Sequence, residues 1–219
     1  GTQEVVKRLA RDAEHVHLHS SVQAISQIDE GVMIRTGDGA ATFDHVVIAT
    51  QANQASRLLK DASPEERIAL ASFSYEPSRV IVHTDTRLAP LGGASEWAPV
   101  NFLLAPNQAA PMATIWLNAI QTMPGSNPVF QTWNPVIAPD PSLVLGQAEF
   151  ERPIVNADSL RGLQILSDLH EQSDRRIWFC GSYASAGIPL LESAVTSAMS
   201  IAERLGVRRP WTASQPTAR

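Results

Sequence analysis

One cysteine, Cys180, stands among the 219 residues, so no internal disulfide can form and a reducing compartment, the cytoplasm, is expected. Long hydrophobic runs are missing too; none approaches the roughly 18 residues that a membrane span needs. The first residues carry no leader pattern. Basic charge is short, with 17 Lys and Arg against 22 Asp and Glu and a net charge of −5, which speaks against nucleic acid as a partner. No Gly-x-Ser-x-Gly elbow occurs, so a serine hydrolase has no nucleophile turn to build on. Nor does Gly-x-Gly-x-x-Gly occur between a strand and a helix; Gly37-Asp38-Gly39 and Gly92-Gly93 stand in other contexts. The chain lacks the usual loop for gripping the phosphates of a dinucleotide.

What is present is an ordinary globular composition, 44% apolar and 18% charged, long enough for one large domain or two small ones. Val5, Val6, Leu9 and Ala13 recur at helical spacing behind Thr2, a suitable N-cap. His15, His17 and His19 alternate, which predicts a strand with three imidazoles on one face. With no carboxylate or cysteine beside them they read as a solvent-facing stripe, and no metal is expected. Val22–Ile25 and Gly31–Thr36 are strand patterns, and Gly37-Asp38-Gly39 marks a hairpin into Ala41-Thr42. Phe43–Thr50 differs in kind. Val46, Val47, Ile48 and Ala49 run without alternation, which suits a strand buried on both faces of a parallel sheet and ending where ligands of open α/β sheets bind.

From Asn53 the pattern changes. Helices are expected over Gln54–Lys60 and Pro64–Ala71, the second capped by Ser63 with Pro64 at its first position. A meander of antiparallel strands follows: Arg79–Thr84, Pro99–Leu104, Ala113–Ile120, Val129–Trp133 and Leu143–Glu151, with Pro and Gly clustered between them. A helix over Ala157–His170 closes this region. Residues 208–219 read as a disordered tail. The order suggests a discontinuous domain of residues 1–52 and 173–207, interrupted by an insertion over 53–172.

The closing stretch from Arg176 to about Leu205 reads as a short buried strand, a Gly-rich loop and a helix. That order presents free backbone N–H groups and the positive helix end to an electron-rich ligand. Glu192 in the first helical turn complements the dipole whatever the chemistry. Trp97, Trp116 and Trp133 on or beside strands suit a core, and could also line a substrate cavity.

Three segments in this order resemble the flavin-containing amine oxidases and phytoene-desaturase-like enzymes, above all their bacterial amine oxidase-like branch. They are Gly1–Ala10, then Ser21–Thr50 with Val22, Thr36-Gly37-Asp38-Gly39 and Ala49-Thr50, then Trp178–Ser197 with Gly181-Ser182, Gly187 and Glu192-Ser193-Ala194-Val195. The resemblance covers residues 1–207. It implies an α/β and α+β fold, in which a partial, Rossmann-like FAD-binding domain carries an inserted antiparallel-sheet substrate domain. It implies that the backbone of Val22 pairs with adenine and that Ala49 and Thr50 lie near the pyrophosphate. Gly181 and Ser182 would approach ribitol and phosphate. The helix start at Leu191, Glu192, Ser193, Ala194 and Val195 would face the pyrimidine edge of the flavin, where reduction places negative charge.

The departures from the family matter as much. Relatives carry Gly where Ser193 stands and often a carboxylate at Ser182. Leu190 replaces the tyrosine of an amine cage, so a small apolar substrate is expected, with Leu190, Trp116 and Trp133 at its pocket. Arg79 falls about where relatives keep a lysine near flavin N5; a guanidinium that stays charged is a poor proton shuttle, so Arg79 is only a weak catalytic candidate. Cys180 reads as strand core rather than a covalent flavin link. Because the phosphate-gripping motif would belong to a preceding portion, the chain is expected to be a C-terminal part of an FAD enzyme that holds FAD weakly alone. Two alternatives stand beside this. One is a non-catalytic module that self-associates, as a homodimer, through the exposed strand edge at His45–Thr50. The other is a desaturase or isomerase of polyene or acyl chains.

Overall fold

A computed structural model describes residues 2–104, 111–123, 125 and 127–207; the expected disordered tail lies outside the described residues. The chain forms two compact units, Gly1–Ser74 with Val155–Arg219, and Tyr75–Ile154. The junctions therefore fall at 74/75 and 154/155 rather than at 52/53 and 172/173. Helix packing is the reason. Gly162 lies so close to the preceding helix that a Cβ there would meet Ser72 Cβ at 2.8 Å and the Ala69 carbonyl at 3.1 Å.

The first unit opens on α1 (Thr2–Ala10). Residues 11–21, which include the three histidines, form no strand. Alternation specifies a strand only where a neighbour supplies a hydrogen-bond ladder, and His19 turns the chain with a left-handed φ of 59°. Strands β1 (Val22–Ile28), β2 (Gly31–Thr36) and β3 (Gly39–Phe43) form an antiparallel sheet in that order, with Ile25 and Val32 buried. At the β2–β3 hairpin the Asp38 N–H donates to Thr36 Oγ1 at 3.2 Å, the local turn chemistry that the sequence predicts.

Strand β4 (Val46–Ile48) leads into α2 (Ala52–Leu58) and α3 (Pro64–Ala71). A capping box starts α3: Ser63 Oγ accepts from the Glu66 N–H, and Glu66 Oε2 accepts from the Ser63 N–H at 2.8 Å. Val46 and Ile48 are buried but Val47 is 43% exposed, so β4 is covered on one face only. Its partner β10 is buried at all three positions, Ile177, Trp178 and Phe179, so the expected burial of both faces is met at β10 and not at β4.

The second unit is built on a five-stranded antiparallel sheet of β5 (Tyr75–His83), β6 (Val100–Leu103), β7 (Met112–Trp116), β8 (Phe130–Trp133) and β9 (Val144–Pro153). Its order is β6-β7-β8-β5-β9. It is not a simple meander, because β5 lies between β8 and β9 and pairs with both. The strand expected to reach Ile120 stops at Trp116, and Leu117–Ile120 forms a short helix, α4. Asn118 Oδ1 takes the Val129 N–H at 2.7 Å there, a side chain standing in for ladder carbonyls.

A buried polar chain crosses this sheet. Asp85 donates its backbone N–H to His83 Nδ1 at 3.1 Å, so Nδ1 is unprotonated and Nε2 carries the hydrogen. His83 Nε2 lies 2.8 Å from Thr132 Oγ1, Thr132 Oγ1 lies 3.0 Å from Thr114 Oγ1, and Thr114 donates to the Leu88 carbonyl at 2.9 Å. With one hydrogen on each hydroxyl, the donors must run in one direction, from His83 to Leu88. Burial also pushes the His83 pKa down, which favours this neutral form.

The chain returns to the first unit through α5 (Ala157–His170), β10 (Ile177–Phe179) and α6 (Leu191–Arg204). Strand β10 pairs with β4 in parallel, with Ile177 opposite Val46 and Phe179 opposite Ile48.

Candidate functional site

The ends of β4 and β10 lie side by side. The Cys180 N–H donates to the Ile48 carbonyl at 3.1 Å, so Ala49-Thr50 and Gly181-Ser182 leave the two parallel strands at the same carboxyl end. This is the edge at which open α/β sheets bind ligands. Gly181 has a φ of 144°, and a Cβ there would stand 3.1 Å from the Tyr183 ring and 3.7 Å from the Thr50 carbonyl. Glycine is required for both reasons. Tyr183 is buried edge-on against Phe73, with ring centroids 4.8 Å apart.

Beyond a turn at Ser182–Ala184 and the left-handed Gly187, α6 begins behind Leu190. Leu190 supplies no side-chain cap, so the dipole end of a 14-residue helix stays open to a ligand. Ser193 turns its hydroxyl away, donating to the Ile188 carbonyl at 2.8 Å. Ile188, Leu190 and Leu191 are all exposed and frame this helix start with apolar surface.

Two side chains that sequence reasoning did not assign hold the arrangement together. Ser197 Oγ accepts the Gly181 N–H at 3.0 Å and lies 3.0 Å from the Gly181 carbonyl and 2.9 Å from that of Ala194. His170 Nε2 accepts the Phe179 N–H at 3.2 Å, and its ring lies against Trp178 and Phe179. Burial, then the cations of Arg175 and Arg204, push the His170 pKa down to about 4, so at neutral pH it is an acceptor and not a cation. The available signals were a serine on the core face of α6 and a histidine at the end of α5. Burial pushes the Cys180 thiol pKa up, which leaves it unreactive.

The other expected site residues are dispersed. Val22 is half-buried at the start of β1, in a different sheet from β4 and β10. Arg79, in the second unit, is exposed; its Nη2 donates to Gln147 at 2.8 Å and its N–H to Asn134 Oδ1 at 3.2 Å. Trp116 pairs in register with Phe130, and Trp133 with Ala113. The two tryptophans are offset by an odd number of residues, so they project from opposite faces of the sheet and do not share one pocket. Trp116 stacks edge-on with Trp97, and its buried Nε1–H has no acceptor among the described residues. Trp133 lies beside Phe150, under the guanidinium of Arg152. Among the described residues no His, Cys, Asp and Glu group of three or more could hold a metal, and no helix is long and apolar enough to cross a membrane.

Residues 1–129 match the family model described as flavin containing amine oxidoreductase. The chain belongs to this family. Solved structures of similar fold include the CLA-producing fatty acid isomerase from P. acnes, with a TM-score of 0.65, 14% identity and coverage of 94% of this chain and 52% of that one. Putrescine oxidase bound to putrescine follows at a TM-score of 0.64 and 12% identity, covering 94% and 53%. Cyclohexylamine oxidase from Brevibacterium oxydans IH-35A stands at 0.62 and 15%, again covering 94% and 53%. At these identities the likeness is one of fold. The chain spans about half the length of the solved chains it matches. No curated protein matches it.

Flavin amine oxidoreductases contain FAD in the full-length enzyme, and the residues here suit part of that group. The open start of α6 offers backbone donors to an anionic, planar ligand, and the adjoining ends of β4 and β10, with the glycine at 181, bring backbone close to it. A glycine-rich loop for the pyrophosphate is absent from the sequence.

Proposed function

We propose that this chain is the C-terminal part of an FAD-dependent oxidoreductase of the amine oxidase and desaturase type, working on a small apolar substrate in the cytoplasm. One observation carries the proposal: an uncapped helix start and a left-handed glycine meet the carboxyl ends of two parallel strands. The flavin would supply the electron-pair chemistry. The N–H groups of Leu191, Glu192 and Ser193 would stabilise negative charge on its pyrimidine edge; the Ala194 N–H already serves the Leu190 carbonyl at 3.2 Å, so Ala194 and Val195 would act there only through the helix dipole. Gly181 and Ser182 would approach the ribitol and phosphate, Ala49 and Thr50 the pyrophosphate, and the Val22 backbone the adenine. Leu190, with Ile188 and Leu191, offers apolar surface rather than an aromatic amine cage. Arg79 receives no proton-transfer role, since its guanidinium stays charged and already serves Gln147. Trp116 and Trp133 could contact substrate only from separate faces of the sheet.

Without a pyrophosphate loop the chain should hold FAD weakly. Titrating FAD into the 219-residue chain, followed by gel filtration, is expected to yield a colourless protein. The same polypeptide extended by a strand, a Gly-x-Gly-x-x-Gly loop and a helix should retain the flavin absorbance band. A yellow 219-residue chain would refute the weak-binding claim, and a colourless extended protein would refute the flavin reading.

A second reading rests on a separate observation. In the parallel pair the Phe179 N–H on the outer edge of β10 is taken by His170, whereas β4 has β10 as its one neighbour among the described residues. An open edge at β4 is a pairing surface for a second copy. Self-association without redox chemistry would appear as a dimer in gel filtration; a clean monomer counts against it.

A further inference from the structure

We propose that Ser197 is the positioning residue of the flavin site, holding the loop at Gly181 and the start of α6 as one rigid wall. The inference rests on the flavin reading above. A serine within a helix commonly bonds back to the carbonyl three or four residues earlier, and Ser197 does so with Ala194 at 2.9 Å. What sets it apart is that the same oxygen accepts the Gly181 N–H and lies within hydrogen-bond reach of the Gly181 carbonyl, each at 3.0 Å. The single hydroxyl hydrogen is shared between the Ala194 and Gly181 carbonyls, while the Gly181 N–H is held by the oxygen in either case, so the glycine that turns the chain out of β10 is tied to the second turn of α6. Ser197 is 6% exposed, so water does not readily replace it.

A ligand that spans the Gly181-Ser182 loop and the helix start gains from both only if their separation is fixed before it binds. Ser197 fixes it, and does so without touching the ligand. Removing the hydroxyl takes the acceptor from the Gly181 N–H and leaves its carbonyl with the Ala184 N–H at 3.0 Å, and glycine has no side chain to restrain the loosened side.

The test uses the full-length flavoprotein, with FAD itself as the probe. Ser197→Ala is expected to weaken FAD binding about tenfold or more, lower the flavin midpoint potential and speed amide exchange at Gly181. Ser197→Thr, which keeps a hydroxyl, is expected to recover most of this. Ser200→Ala, on the exposed side of the same helix, is expected to change nothing. Ser197→Cys keeps the volume with a poor hydrogen-bond partner and is read in the same way if the alanine variant does not fold. FAD affinity and potential within twofold and a few millivolts of wild type in the folded variant would overturn the inference and leave the flavin reading standing. A wild-type protein that takes up no FAD overturns both.

Discussion

The five-stranded sheet and the parallel pair reach a fixed geometry by different means. The second unit distributes the task over five antiparallel strands, with nine register pairs between β5 and β9 and a one-way chain of donors from His83 to Leu88 running through its buried face. The first unit places its candidate site on a parallel pair with three register positions. Individual side chains secure that pair. His170 closes the outer edge of β10, and Ser197 ties the exit glycine to α6. Arg175, 7% exposed at its side chain, pairs with Glu66 at 2.7 Å and lies over the Phe179 ring. A broad sheet tolerates the loss of one link, whereas a narrow pair depends on each. Local cooperativity, not sheet content, sets how a site responds to substitution.

The largest expected effect is at Glu66. Glu66→Leu strands a buried guanidinium and removes the acceptor for the Ser63 N–H, so a loss of about 3–5 kcal/mol is expected from urea unfolding. A loss under about 1 kcal/mol would show that the narrow pair does not depend on single links. Next is Thr132→Val, which keeps the shape but cuts the middle of the buried chain. It is expected to cost about 1–3 kcal/mol and to speed amide exchange in β5, β7 and β8 while Gly181 is unchanged. Faster exchange at Gly181 would erase the distinction.

The smallest effect separates the two regions by pH. The folded-state pKa of His170, about 4, lies below the unfolded value of about 6.5. Between these values the unfolded chain binds a proton that the folded chain refuses, so stability is full above about pH 6.5 and declines as pH falls toward 4. Unfolding midpoints at pH 7 and pH 5 should differ, with His170→Gln reducing the difference. His83 is shifted in the same direction by burial, so part of the decline should survive in that variant. If the variant keeps the whole decline, His170 is not its source.

Local chemistry was legible. Ser63, Pro64 and Glu66 marked the start of α3, and the cap forms as their spacing requires. Gly37-Asp38-Gly39 produced the expected hairpin, and an uncapped α6 followed the glycine loop. Long-range pairing was not legible. The histidine alternation had no ladder to join, β5 inserted itself between β8 and β9, and Trp116 and Trp133 separated onto opposite faces. Each outcome depends on which strand becomes the neighbour, and that is absent from a strand's own periodicity.

By itself the sequence determined the cap at Ser63, the hairpin turn, most of the helices and strands, and the family, because these follow from residues a few positions apart or from segments recurring in a fixed order. Only the tertiary structure decided that α2, α3 and α5 belong with the first unit, and that His170 and Ser197 hold the strand and loop. Those contacts join residues distant along the chain, Glu66 to Arg175 and Gly181 to Ser197. A buried polar side chain acquires its role only once folding has chosen its partner.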